Sequence, residues 1–174
     1  LTGGRQKVAN YAGVTVERKE GHFTAADGRQ VSVLDLPGTY SLRARSPDEA
    51  VTRDAVLGRL AGEARPDVIV AVADSTNMRL MLRLVLELKD TGAAIVLALN
   101  MFDIATRQGL RIDIERLSAE LGVPVVTTVA TRKRGLDDLT AQVERVADLI
   151  PPTENHWREP DAAQLRAAHR RAEQ

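Results

Sequence analysis

The sequence predicts an α/β fold, a mostly parallel sheet carrying one antiparallel edge strand. Three observations predict it. Short apolar runs, DVIVAVAD (67–74), AAIVLALN (93–100) and PVVTTVA (124–130), alternate with longer stretches of helical periodicity. The first two are nearly unbroken in their hydrophobicity, as strands covered on both faces are. Ahead of them, TVERKEGHFTA (15–25) and RQVSVLDL (29–36) flank Asp27-Gly28, a hairpin turn signal.

The elements follow in chain order. Residues 1–14 are mixed and glycine-bearing and read as the tail of an element and a loop. The hairpin occupies 15–36 and runs straight into Pro37-Gly38. A helix opens at Ser46, a good N-cap, with Pro47 in the first helical position and Glu49 three residues after the cap, and extends to Gly62. Arg65-Pro66 separates it from the strand 67–74. MRLMLRLVLELKDTG (78–92) is a helix stopped by glycine, and the strand 93–100 follows. Residues 112–122 form an amphipathic helix with its own glycine stop, 124–130 a strand, and 136–150 a helix ended by Pro151-Pro152. The segment 151–174 changes character: it is polar, with Trp157 and Leu165 its only large apolar residues, and 162–173 has the composition of a short helix. The expected division is therefore a domain over 1–150 and a linker with the start of a further helical region over 151–174.

Bulk properties narrow the function. At 174 residues the chain is about one ordinary domain, and its balanced charge, 24 basic against 24 acidic residues, gives no broad basic face for nucleic acid. The absence of cysteine excludes disulfides and thiolate metal sites. No apolar run approaches the roughly 20 residues needed to cross a bilayer. The first residues lack a signal peptide's apolar core, so a cytosolic location is expected.

Sheets of this kind bind ligands at the carboxyl ends of their strands, where Asp35, Asp74, Asn100 and Ala130 all fall. Asp35 follows the buried-looking Ser32-Val33-Leu34, and a carboxylate there needs a partner. Magnesium on a nucleotide phosphate supplies one, and Gly38, three residues on, offers a bare backbone N–H to a terminal phosphate. Asn100 and Asp103 suit guanine: a carboxylate accepts from both the ring N–H and the exocyclic amine, donors that adenine lacks in that arrangement. The Asn100 amide can brace the loop, and Met101 supplies an apolar chain beside the ring. The plainer alternative for Asp103 is a helix cap. Ala130-Thr131-Arg132 ends the last apolar run: a small residue lets the chain pass close to a base and present its N–H, and Arg132 can cover the ring face. Thr15, in GVTVE, is a candidate second magnesium ligand, although a threonine beside a strand is ordinarily a strand residue.

Asp-x-x-Gly, Asn-x-x-Asp and a closing small-residue loop resemble the third, fourth and fifth motifs of the Ras-like GTPase fold. More specifically, GGRQKVANYAGVTVERKEG, DLPGTYSL, ALNMFDIA and VATRKRG resemble the cytosolic G domain of the bacterial ferrous iron transport protein B family, over about residues 1–147. The resemblance implies a Ras-like P-loop fold with a six-stranded sheet, GTP or GDP and Mg2+ as ligands, and GTP hydrolysis coupled to a transmembrane iron(II)-transport domain in the same full-length chain. It places the domain at the cytoplasmic face of the bacterial inner membrane, with no nucleic acid partner and with room for a homo-oligomer. It assigns Thr15 to the first switch, Asp35 and Gly38 to the metal and phosphate motif, Asn100 and Asp103 to guanine specificity, and Ala130, Thr131 and Arg132 to the last base-contacting loop. Two departures stand out. No G-x-x-x-x-G-K-[ST] occurs in the sequence, so the fold is expected to be truncated at its N-terminus, with a gap in the parallel sheet and weak nucleotide binding. The position after Gly38, often glutamine in Ras-like proteins, is Thr39, which implies slow intrinsic turnover. The alternatives are another small GTPase, acting in ribosome assembly or tRNA modification, and a binding domain of the same fold without catalysis.

Overall fold

The structure, a computed structural model, describes residues 7–11, 14–150 and 160–172. It divides into two compact units, Leu1–Pro66 and Asp67–Gln174.

In the first unit, strands β1 (Lys7–Asn10), β2 (Glu17–Thr24) and β3 (Gln30–Asp35) form an antiparallel sheet in the order β1-β2-β3. The hairpin lies where the turn signal puts it. Thr24 pairs with Gln30, Gly28 takes a φ of +88°, and the Asp27 carboxylate accepts the Arg29 N–H at 2.9 Å. The antiparallel part is larger than the single expected edge strand, because β1 lies in a stretch read as tail and loop. All four β1 residues are exposed, so no inside–outside alternation marks the strand in the sequence. It is held by register with β2, from Lys7 opposite Glu20 to Asn10 opposite Glu17. Tyr11 N–H donates to Val16 O at 3.0 Å where the chain turns from β1 towards β2. Tyr11, Val16 and Val51 form this unit's buried cluster, with Leu34, Leu36 and Leu60 packed against it.

Helix α1 (Pro47–Val56) begins at the expected cap: the Ser46 hydroxyl accepts from Glu49 N–H at 3.2 Å, while the Glu49 carboxylate reaches past the cap residue to the Arg45 N–H at 2.6 Å. It ends six residues before the expected Gly62. Gly58 takes a left-handed φ of +67°, and Arg65 Nη2 donates to Leu57 O at 3.0 Å, satisfying a carbonyl at the helix end.

The second unit holds the parallel sheet, β4 (Val68–Asp74), β5 (Ala94–Asn100) and β6 (Val125–Thr127), in the order β4-β5-β6. Helices α2 (Arg79–Asp90), α3 (Phe102–Arg107), α4 (Ile114–Leu121), α5 (Leu136–Asp148) and α6 (Ala162–Arg171) accompany it. β5 is central, and residues 95–99 are all buried, as its unbroken apolar run requires. β4 departs from that pattern: Ala71 and Ala73 are buried, but Val72 between them is 56% exposed. Val96, Ala98, Val126 and Leu139 form the core cluster, with Val68, Val70, Val143 and Val146 against it. α6 packs on α2, with Ala168 fully buried and Arg171 paired to Asp90 at 3.3 Å. β6 is shorter than the expected strand 124–130, and Ala130–Arg132 is instead a 3-10 turn.

Candidate nucleotide site

The first set of predicted residues lies in the first unit. Asp35 is the last residue of β3, as expected, but it is exposed, not buried. The correction is physical: β3 is at most half-buried along its length, so the carboxylate carries no large desolvation cost that a metal would have to offset. Its backbone carbonyl accepts the Tyr11 hydroxyl at 3.1 Å. Burial, followed by the nearby Glu63 carboxylate, pushes the Tyr11 phenol above its ordinary pKa. Thr15 lies outside the strands, since β2 starts at Glu17, and it is exposed. Beyond Asp35 the chain runs through Leu36 and Pro37 to an exposed Gly38. Thr39 is buried, and its hydroxyl is engaged locally, donating to Ser41 O at 2.8 Å.

Around this loop β2 carries a polar network. The Arg18 guanidinium pairs with Glu20 at 2.7 Å and, in a bidentate arrangement, with Glu63. Glu63 first, then Glu20, holds Arg18 further above its already high pKa, and Arg18 and Ser32 hold Glu20 below the usual carboxylate range. No group of three or more His, Asp or Glu side chains capable of holding a metal occurs among the described residues. A magnesium ion that takes one carboxylate and completes its shell with phosphate oxygens and water does not need such a group. Asp35, exposed at a strand end, is chemically suited to that role.

The second set lies in the second unit, at the end of β5. Asn100 is its last residue. The Asn100 Oδ1 accepts the Ala130 N–H at 3.1 Å and the Thr128 hydroxyl at 3.3 Å, so the amide braces the loop as predicted. The Asn100 carbonyl is itself fixed by the Ser75 hydroxyl at 2.6 Å and the Ser75 N–H at 2.9 Å. These contacts alter one expectation. The Ala130 N–H is spent on Asn100, and the backbone N–H left without a hydrogen-bond partner among the described residues is that of the exposed Thr131.

Met101 adopts a left-handed conformation, φ 57°, one of two described non-glycine residues to do so. This bend turns the chain out of β5 into α3. Asp103 lies in the first turn of α3 but is not its cap, because Met101 holds the N-cap position and no side chain caps the helix. The Asp103 carboxylate pairs with Arg107 at 3.3 Å. It lines a cavity of about 480 Å³ together with Phe102, Thr106, Val129 and Arg132.

Sequence reasoning missed four residues that shape these loops: Thr52, Ser75, Thr128 and Gly135. Gly135, at φ +73°, passes so close to the end of β6 that an added Cβ would collide with Thr127 O and lie 3.3 Å from Thr128 Cα. A glycine just before a helical run is a readable signal. The hydroxyl contacts of the other three are tertiary and leave none.

The parallel sheet, its covering helices and the two loops at strand ends define a Ras-like α/β fold. The family described as "Ferrous iron transport protein B" matches residues 1–143. The chain is 46% identical over 146 residues to the Fe(2+) transporter FeoB of Escherichia coli K12, and the match covers 83% of this chain and 18% of that protein. The corresponding protein of Salmonella typhimurium LT2 is also 46% identical over the same span. Among solved structures, the cytosolic domain of the T. maritima FeoB iron transporter in its GMPPNP form superposes with a TM-score of 0.77 at 40% identity, covering 91% of this chain and 58% of that one. The cytosolic domain of L. pneumophila FeoB gives 0.75 at 36% identity, covering 84% and 60%. The chain belongs to the ferrous iron transport protein B family. It spans less than a fifth of the length of the curated relatives it matches, 18%.

Proposed function

We propose that this chain is the guanine-nucleotide-binding module, residues 1–150, of an iron(II) transporter, and that in the full-length protein it hydrolyses GTP and regulates uptake. The observation that carries the reading is the Asn100 brace. One side-chain oxygen gathers the Ala130 N–H and the Thr128 hydroxyl, which holds the Asn100–Asp103 loop to the Ala130–Arg132 turn. The solved relatives bound to GMPPNP and GDP support the choice of ligand.

In this reading Asp103 accepts from the two guanine N–H donors, Met101 and Arg132 flank the ring, and the Thr131 N–H meets the base. Asp35, with Thr15, holds magnesium, which would neutralise phosphate charge when bound. Gly38 donates to the terminal phosphate. The Thr39 hydroxyl is occupied by Ser41, which supports slow turnover without a glutamine-like water positioner. Residues 151–174 form the linker and the first helix of a following region. The transmembrane iron-transport part of the same protein is the partner, at the cytoplasmic face of the inner membrane, and self-association is compatible with the reading. Among the described residues, no helix is long and apolar enough to cross a membrane.

The test is nucleotide competition on the full-length protein. GTP and GDP should displace a fluorescent guanine nucleotide and ATP should not. Equal displacement by ATP would overturn the base assignment.

A further inference from the structure

Helix α1 carries a buried polar residue with no part in the reading above. Thr52 is 6% exposed, and its Oγ1 donates to Pro37 O at 2.6 Å. A threonine hydroxyl inside a helix commonly returns to a carbonyl one turn back on its own helix. Here it crosses to the loop that joins Asp35 to Gly38.

The carbonyl it holds belongs to the same peptide unit as the Gly38 N–H. That unit is planar and trans, so its C=O and N–H point in opposite directions. With the carbonyl tied to α1, the N–H is turned away from α1. Gly38 is exposed, and its N–H has no hydrogen-bond partner among the described residues. Nor does this conformation itself require glycine. A Cβ added at Gly38 would meet nothing within 4 Å, and its φ lies outside the left-handed region. Gly38 is thus exposed, with open space where a side chain would stand.

We propose that Thr52 is a positioning residue: its hydroxyl fixes the Pro37–Gly38 peptide so that the Gly38 N–H is presented to the terminal phosphate of a nucleoside triphosphate. The proposal rests on the reading that Gly38 meets that phosphate. A diphosphate has no phosphoryl group at that place. Loss of the hydroxyl therefore weakens the triphosphate and spares the diphosphate. A contribution confined to folding would affect both alike.

Thr52→Val keeps the branched shape, removes the donor and leaves Pro37 O without it. Thr52→Ser keeps the donor. Affinities for GDP and for a non-hydrolysable GTP analogue are measured by fluorescent-nucleotide displacement on the full-length protein in magnesium buffer. Thr52→Val is expected to raise the analogue Kd about 3–10-fold, the scale of one lost hydrogen bond, and to leave the GDP Kd within about two-fold. Thr52→Ala should reproduce the shift, and Thr52→Ser should keep the parental ratio. A Thr52→Val protein with the parental ratio, or one weakened equally for both nucleotides, overturns the role of Thr52 while leaving the function reading in place. A parent protein that binds neither nucleotide overturns the function reading and this proposal with it.

Discussion

At the scale of single residues, the proposed reading makes Asp103 the group that decides which base is held. Its carboxylate already has a neighbour, since Arg107 Nη2 is 3.3 Å away, but the Arg107 side chain is 68% exposed and the pair is worth little against solvent. The carboxylate therefore stays free to exchange Arg107 for the two guanine donors. Asp103→Asn replaces one acceptor with a donor and should cost about 1.5–3 kcal/mol of GTP binding, the worth of a charged hydrogen bond, while favouring xanthine nucleotide, whose extra carbonyl accepts from the new amide. Competition between GTP and XTP in the full-length protein checks this, and an unchanged preference for GTP would remove Asp103 from the site. Glu20 supports a second prediction, on pH. Its pKa is depressed, first by the Arg18 hydrogen bond and then by that from Ser32. A carboxylate with a depressed folded pKa stabilises fully above its ordinary value, about 4.3, and loses that contribution as pH falls through the folded value. Urea denaturation of the parent and of Glu20→Gln should therefore differ at pH 7, and the difference should shrink as pH falls below the ordinary carboxylate range. A difference that persists undiminished at pH 3 would show that the charge of Glu20 is not what matters.

At the scale of elements, the loop after β6 depends on one glycine. Gly135 combines φ +73° with near-contact to Thr127 and Thr128, and Val129 and Arg134 bridge across the turn it closes. A Cβ there meets two costs, the left-handed backbone and the collision with the end of β6. Gly135→Ala should lower stability by about 2 kcal/mol and displace the Ala130–Arg132 turn from Asn100. Thermal unfolding measures the first effect, and a guanine affinity that falls without a matching loss for Gly122→Ala, which is also left-handed (φ +64°) but meets only Lys89 Nζ at 3.2 Å, separates the second from general instability. The same elements show what the sequence makes legible. The hairpin, the Ser46 cap and β5 were readable because each rests on local chemistry: a turn dipeptide, a capping side chain, an unbroken apolar run. β1 was not, because an exposed four-residue strand carries no alternation. α3 was not, because six residues are too few to display a helical period. At the site, the position of Asn100 at the end of β5 and of Asp103 three residues on was legible from the sequence, whereas the partner of the Ala130 N–H was not. Its partner is Asn100, thirty residues away, so the free N–H passes to Thr131 only once the chain has folded.

At the scale of the whole molecule, the question is how much nucleotide affinity residues 1–174 can supply unaided. The phosphates of GTP carry most of its charge, and nucleotide-binding domains of this fold hold them chiefly with a glycine-rich loop, its lysine and magnesium. Within 1–174 the groups proposed for the phosphates are Asp35, Gly38 and Thr15, and no G-x-x-x-x-G-K-[ST] segment occurs. The groups proposed for the base, Asn100, Asp103 and Thr131, would add charged or neutral hydrogen bonds of roughly 0.5–3 kcal/mol each, much of which is offset by immobilising the ligand. Leu1–Gln174 alone is therefore expected to bind GTP in the millimolar range or weaker. The full-length protein should bind in the micromolar range or tighter in magnesium buffer, and should lose affinity when magnesium is chelated. Calorimetry on both, with circular dichroism to confirm that the shorter chain is folded, tests this directly. Micromolar binding by a folded Leu1–Gln174 would mean that its own backbone supplies a phosphate cradle other than Gly38. Equal affinity with and without magnesium in the full-length protein would remove Asp35 and Thr15 from the metal assignment and leave only the guanine end of the reading standing.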